Sequence, residues 1–153
     1  VPNQAKLDNL YIDIAKRVAL MSHARRSKVG AVIVKDANII SYGWNGTPTG
    51  DDNVCEVAMP DGTLVTKPDV LHAESNAMTK LLRSGSSGSN GATLYVTVSP
   101  CRECAKLIYQ AGIQRVVFVE PYRDTAGIQF LLAHGVSVEQ HHGAKEEPSK
   151  AKA

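Results

Sequence analysis

A chain of 153 residues has room for one domain with a real core. Its composition, 43% apolar and 21% charged, is that of an ordinary globular protein, and it has no apolar run near the ~20 residues of a membrane helix. A net charge of +2 is too small for a protein that coats duplex nucleic acid, though it leaves room for a local basic pocket. The opening segment VPNQAKLDNLYIDIAK contains no uninterrupted apolar stretch of the signal-peptide kind, so no secretory signal is expected. Three cysteines then point to a reducing, cytoplasmic setting and to metal-binding or catalytic thiols.

Leu7, Leu10, Tyr11, Ile14, Val18 and Met21 repeat at helical spacing and predict an amphipathic first helix. Val29 to Lys35 and Ile39 to Trp44 read as strands joined by a hairpin at Asp36-Ala37-Asn38. Asn45 to Val70, rich in Gly, Pro, Asp and Thr, reads as a long loop, and loops of that length tend to carry function. A helix is expected from His72 to Arg83, followed by a flexible connector from Ser84 to Gly91. Thr93 to Val98 predicts a strand. Cys101 to Ala111 predicts a helix with Gly112 as its left-handed cap. Arg115 to Val119 predicts a strand, Thr125 to His134 a helix stopped by Gly135, and Val136 to Glu139 a last strand. Residues 1–139 make the domain. The polar, charged tail 140–153 is expected to be disordered on its own. Strands alternating with helices argue for an α/β fold, an antiparallel opening hairpin and parallel right-handed crossovers after it.

Two clusters carry chemistry: His72-Ala73-Glu74 and Pro100-Cys101-Arg102-Glu103-Cys104. Each opens a predicted helix. Cys101 and Cys104 share a helix face and can reach one metal. His72 and Glu74 can face one centre only if it lies beyond the helix end. Both first turns therefore converge on one site. A helix N-terminus favours thiolates there, and Ser99 with Pro100 supplies the expected N-cap and first helical residue. Three protein ligands leave a fourth position for water, the arrangement of a catalytic zinc. Glu74 stands near enough to move a proton without binding the ion. The bland alternatives are a redox Cys-x-x-Cys pair, or Cys55 closing a four-ligand structural site. His23 and His134 read as capping or solvated residues, and His141 and His142 as solvated.

The combined His-x-Glu and Pro-Cys-x-x-Cys pattern is the signature of the zinc nucleobase deaminases. Free cytidine deaminases place Cys where His72 stands. Val29-Gly30-Ala31-Val32-Ile33-Val34, the run Gly43-Trp44-Asn45-Gly46-Thr47-Pro48-Thr49-Gly50, His72-Ala73-Glu74-Ser75-Asn76-Ala77, and Ser99-Pro100-Cys101-Arg102-Glu103-Cys104-Ala105-Lys106 resemble the deoxycytidylate (dCMP) deaminases. Trp44 and Ser75 depart from the Tyr and Leu usual in that family.

The resemblance implies a cytidine-deaminase-like three-layer α/β/α sandwich around a mixed five-stranded sheet. It implies hydrolysis of dCMP to dUMP and ammonia, supplying dUMP for thymidylate synthesis, on one catalytic Zn²⁺ held by His72, Cys101 and Cys104 with Glu74 as proton shuttle. It implies substrate contacts from Asn45, Tyr122 and the backbone at Ala73 and Ser99. A phosphate needs cations, and Arg26 and Arg123 are the best placed of a set that includes Arg25 and Lys28. Finally it implies a homo-oligomer, often a hexamer, activated by dCTP and inhibited by dTTP. The regulatory nucleotide would sit at Gly43, Trp44, Asn45 and Gly46, with Asp51 and Asp52 helping to hold Mg²⁺. Two rival readings are a tRNA or single-stranded-DNA base deaminase, disfavoured by the low charge and the 5% aromatic content, and a non-catalytic zinc-stabilised binding module, which has no need of Glu74.

Overall fold

A computed structural model describes residues 3–85 and 88–143. The first helix, α1 (Gln4–Ala19), starts at Asn3, whose Oδ1 accepts from the Ala5 and Lys6 N–H groups. Strands β1 (Gly30–Lys35) and β2 (Asn38–Trp44) form the expected hairpin. Lys35 pairs with Asn38, so the turn is two residues, Asp36 and Ala37, both at positive φ (50° and 58°). That is the primed turn geometry whose twist matches the strands.

The long segment after β2 is not structureless. It folds a small antiparallel hairpin, β3 (Glu56–Ala58) with β4 (Leu64–Thr66), in which Glu56 faces Thr66. Then follow α2 (Ala73–Ser84), β5 (Thr93–Val98), α3 (Arg102–Gln110), β6 (Arg115–Glu120), α4 (Ala126–Ala133) and β7 (Ser137–Gln140). Gly85 and Gly112, at φ 67° and 77°, end α2 and α3 in the left-handed conformation. Part of the expected Ser84–Gly91 connector, residues 86–87, and residues 144–153 of the expected tail lie outside the described residues. Gln140 itself belongs to β7. His141 continues the pairing through its N–H to Phe118 O and meets Asn9 through Nε2 at 2.7 Å.

The main sheet runs β2-β1-β5-β6-β7; β1 pairs antiparallel with both neighbours, and β5-β6-β7 are parallel. Period-2 alternation divides its residues between two cores. Val32, Val34, Tyr95 and Val117 face α1 through Tyr11, Ile12 and Ala15. Ala31, Ile33, Leu94, Val96, Val116 and Phe118 face α2, α3 and α4 through Ala77, Ile108 and Leu131. The three-layer α/β/α sandwich around a mixed five-stranded sheet is therefore the fold, with one helix on one face and three on the other. Asp8 of α1 pins its layer to the sheet. It takes two hydrogen bonds from Arg115 (2.9 and 2.7 Å) and one from the Tyr95 hydroxyl (2.6 Å). Among the described residues no helix is long and apolar enough to cross a membrane. The carboxyl ends of β5 and β6 and the amino end of β1 lie together, at the usual place for a ligand crevice in such sheets.

Candidate active site

His72 and Cys101 are the N-cap residues of α2 and α3, both in extended backbone, and neither side chain makes a capping hydrogen bond. That frees both to point beyond the helix ends. The Asn76 N–H to His72 O (3.0 Å) and Ala105 N–H to Cys101 O (2.9 Å) bonds close the first turns without them. Cys101, rather than Ser99, is therefore the cap of α3. The Ser99 hydroxyl has another duty: it accepts from the Tyr122 N–H at 2.6 Å and ties the loop after β6 to the loop after β5.

The two helix starts converge. His72 Nδ1 lies 3.3 Å from Cys104 Sγ and 3.5 Å from Cys101 Sγ, and the three donor atoms all fall within 4.8 Å of one another. One imidazole nitrogen and two sulfurs form the borderline-soft donor set that suits zinc, and three protein donors leave a coordination position open. Cys55 is not in this cluster. It is buried and approaches Asn53 O at 3.9 Å. Ser75 sets its hydroxyl 3.7 Å from Cys104 Sγ.

The electrostatics agree with this arrangement. Hydrogen bonding from the Cys104 thiol and then from His72 holds Cys101 toward its thiolate form, at the positive end of α3. Cys104 is held up by that same bond and by burial. The bond to Cys101 raises His72. Glu74, 4% exposed, stands beside the cluster; burial pushes its carboxyl up to about 7, against the lowering influence of its own N–H and of His72. A carboxyl poised near neutrality is suited to both taking and giving a proton.

A cavity of about 400 Å³ opens over this centre. Of the sequence-predicted substrate residues, Arg26, Asn45, Ala73, Ser99, Tyr122 and Arg123 all line it. Arg25 and Lys28 do not. The Asn45 amide is fixed from both ends, Oδ1 accepting from Val29 N–H (2.9 Å) and Nδ2 donating to Ser27 O (2.8 Å). Each end still has one hydrogen-bonding valence to offer a ligand. The Arg123 guanidinium lies 5.8 Å from the centre of the Tyr122 ring.

A second cavity, of about 500 Å³, lies on the other side of the Gly43–Gly46 segment. Gly43, Trp44 and Gly46 line it, but Asn45, Asp51 and Asp52 do not. Strand alternation explains Asn45: its neighbour Trp44 shares a face with Tyr42, and Asn45 turns to the first cavity. Asp52 is occupied locally, accepting from the Val54 N–H and from Lys67. Asp51 is exposed. In their place α2 supplies Asn76, Thr79, Lys80 and Arg83. Lys80 Nζ sits 3.6 Å above the Tyr42 ring and 5.4 Å from that of Trp44. The i, i+3, i+4, i+7 spacing of those four residues was the available signal for this face. Sequence reasoning also missed Glu56 and Thr66, which line the first cavity, because the hairpin carrying them was read as loop.

Two helix N-termini presenting His-x-Glu and Cys-x-x-Cys to one cavity define the site of a zinc-binding deaminase. The family model for the "cytidine and deoxycytidylate deaminase zinc-binding region" matches residues 5–120, and the chain belongs to that family. It is 36% identical over 148 residues to the deoxycytidylate deaminase of Enterobacteria phage T4, spanning 72% of this chain and 76% of that one. It is 40% identical over 120 residues to the deoxycytidylate deaminase of Homo sapiens, spanning 75% and 66%. The dCMP deaminase of cyanophage S-TIM5, solved with dCMP and dUMP, superposes with a TM-score of 0.81 at 41% identity, covering 89% of this chain and 97% of that one.

Proposed function

We propose that this chain hydrolyses dCMP to dUMP and ammonia. The observation that carries the reading is a buried carboxyl, Glu74, beside a His72–Cys101–Cys104 cluster on the floor of a cavity that also exposes Arg26, Tyr122 and Arg123. The match to deoxycytidylate deaminases supports it. His72, Cys101 and Cys104 would hold zinc. Such an ion, when bound, supplies Lewis-acid activation of water for attack on an electrophilic carbon.

The chain's own residues do the rest. Glu74 takes one proton from the attacking water and delivers it to N3 of cytosine as the water oxygen bonds to C4; it then takes the remaining proton from the C4 hydroxyl and gives it to the amine, so that C4=O forms as the amine leaves. Water is consumed, the C4–N bond breaks, and ammonia departs. The Tyr122 ring packs on the base, held in place by the Ser99 hydroxyl on its N–H. Asn45 contacts the sugar, the backbone at Ala73 and Ser99 contacts the base edge, and Arg26 and Arg123 bind the 5′-phosphate.

The second cavity supports a regulatory reading. Two cations, Lys80 and Arg83, and the Trp44 aromatic face suit a nucleoside triphosphate, with dCTP the activator and dTTP the inhibitor of an oligomeric, hexameric enzyme. Mg²⁺ would arrive with the triphosphate. The test of the catalytic reading is ammonia release from dCMP, deoxycytidine, CMP and single-stranded DNA side by side. dCMP is expected to be the preferred substrate, and equal kcat/KM for dCMP and deoxycytidine would overturn the nucleotide reading. The regulatory reading predicts a sigmoidal dCMP response that dCTP makes hyperbolic. Strict competition of dTTP with dCMP, without cooperativity, would refute it.

A further inference from the structure

The small hairpin, which the main sheet does not need, meets the catalytic cavity through one cross-strand pair. Glu56 and Thr66 stand opposite each other in β3 and β4, and both line that cavity. Glu56 is 7% exposed, an unusual place for a carboxylate. Its Oε1 accepts two consecutive main-chain N–H groups, from Arg25 at 2.7 Å and from Arg26 at 3.0 Å. Paired backbone N–H groups of this kind form an anion-binding concavity, and here a side chain of the protein fills it. Thr66 acts on the other end of the same residue: its Oγ1 accepts from Arg26 Nη1 at 3.0 Å. One cross-strand pair thus holds both the backbone and the guanidinium of Arg26.

The clamp leaves the guanidinium able to bind. Among the described residues Arg26 makes no ion pair, and Thr66 takes only an Nη1 donor. The Nε and Nη2 edge, the fork that grips phosphate bidentately, stays free. Glu56 spends its contacts on the main chain and does not neutralise the charge it positions. An exposed arginine ordinarily loses much rotamer freedom on binding an anion, and ordering it beforehand removes that cost.

We infer that Glu56 is a positioning residue and that the β3–β4 hairpin is the element setting preference for a 5′-phosphorylated substrate, by holding Arg26 ready at the cavity mouth. The inference rests on the dCMP reading above. It is tested by steady-state kinetics of folded, zinc-loaded Glu56→Ala, Glu56→Gln, Thr66→Val and Arg26→Ala on dCMP and deoxycytidine, with the inhibition constant of dUMP measured in parallel. Glu56→Ala is expected to raise KM for dCMP and the dUMP inhibition constant roughly 10- to 100-fold, with kcat changed less than about 3-fold. The preference for dCMP over deoxycytidine should shrink by the same factor.

Thr66→Val, which keeps shape and loses the acceptor, is expected to show the same split at roughly 3- to 10-fold, and it carries the test if Glu56→Ala does not fold. Glu56→Gln retains an acceptor for the two N–H groups and is expected to restore most of the affinity. Equal losses on dCMP and deoxycytidine, a fall in kcat without a rise in KM, or a Gln variant as impaired as Ala would each overturn the inference. Failure of the parent reading looks different. A wild-type enzyme with no preference for dCMP, or an Arg26→Ala variant that keeps it, removes the phosphate role of Arg26 and this inference with it.

Discussion

Gly127 is the point where the structure makes its sharpest demand on a single side chain. It lies in the first turn of α4 and is buried. A Cβ built there would meet Pro100 O at 2.0 Å, and Cys101 C and O at 2.8 Å each. All three are backbone atoms, so no flexible side-chain end can swing away. Closest approaches of Cβ in proteins stop near 3.0 Å, so in Gly127→Ala either α4 or the 100–101 segment must retreat by at least about 1 Å. Cys101 is both the cap of α3 and a member of the His72–Cys101–Cys104 cluster. Metal sites hold their ligand distances to about 0.2 Å, so a retreat of that size takes a ligand out of reach.

Overpacking of this kind costs about 1–3 kcal/mol, equivalent to a fall in Tm of roughly 3–10 °C in a chain of this length. The expected result is therefore a lower Tm together with a zinc affinity weakened by at least about tenfold, as for loss of outer-sphere support of a metal ligand. Competition for zinc with a chromophoric chelator measures the affinity, and thermal melts measure the stability. Gly88→Ala is the control. Its Cβ meets nothing within 4 Å, so its effect should stay within about 0.5 kcal/mol. A Gly127→Ala protein with unchanged zinc affinity and Tm would refute the reasoning that couples α4 to the metal centre.

Other perturbations have outcomes of the same definiteness. Glu74→Gln should keep its zinc and fold and lose roughly 10²- to 10⁴-fold in turnover; loss of the metal in elemental analysis would instead make Glu74 a ligand. Cys101→Ala should purify without stoichiometric zinc, and Cys55→Ser should retain one zinc per chain; the reverse result would move the centre. At Asp8, burial raises the carboxyl's pKa but the hydrogen bonds from Arg115, Tyr95 and Gln4 outweigh it, holding the group near 2. Its stabilisation is thus complete above about pH 4 and lost as pH falls through about 2, so Asp8→Asn should cost about 1–2 kcal/mol at pH 7, discounted for partial exposure, with the gap closing at acid pH in urea titrations. Chelation should reduce hydrogen-exchange protection first in the opening turns of α2 and α3; uniform loss across the domain would contradict that local coupling.

The legibility of this molecule in its sequence follows the range of the interactions involved. The strands β1, β5 and β6 announce themselves because alternate residues are claimed by the two cores, giving unbroken apolar runs such as Ala31–Val34 and Leu94–Val96. The His72 and Cys101 helix starts are legible because each holds its chemistry within a few residues. The hairpin β3–β4 is not legible. Three residues per strand are too few for a period to show, and Pro60, Asp61 and Gly62 between them read as loop. Its most informative contact, Glu56 to the N–H groups of Arg25 and Arg26, spans about 30 positions. Ser99 illustrates the same limit at short range. By local rules Ser-Pro should cap α3, yet the Tyr122 N–H takes the hydroxyl, and the cap passes two residues on. Asp51 and Asp52 follow Gly43–Gly46 closely in the chain yet do not line the second cavity, because the chain turns at Pro48 and Asp52 is engaged by the Val54 N–H and Lys67.

That passing of the cap has a physical consequence. An N-cap side chain normally accepts a hydrogen bond from the helix it starts, and residues unable to do so cost about 0.5–2 kcal/mol relative to Ser, Asp or Asn. Both helices that open onto the cavity forgo this bond, at His72 and at Cys101. The helix dipoles give a positive field at the place where thiolate charge is held and where a substrate would dock. A conventional cap would turn the side chain inward, away from the metal position. The two helix starts therefore trade intrinsic helix stability for ligand direction and field. The tight seams under them, Gly43 against Ala73 and Ala77 of α2 and Gly127 against Pro100 and Cys101, hold by packing what the missing caps do not. An ion bound by His72, Cys101 and Cys104 would therefore add stability at this end of the sandwich as well as chemistry.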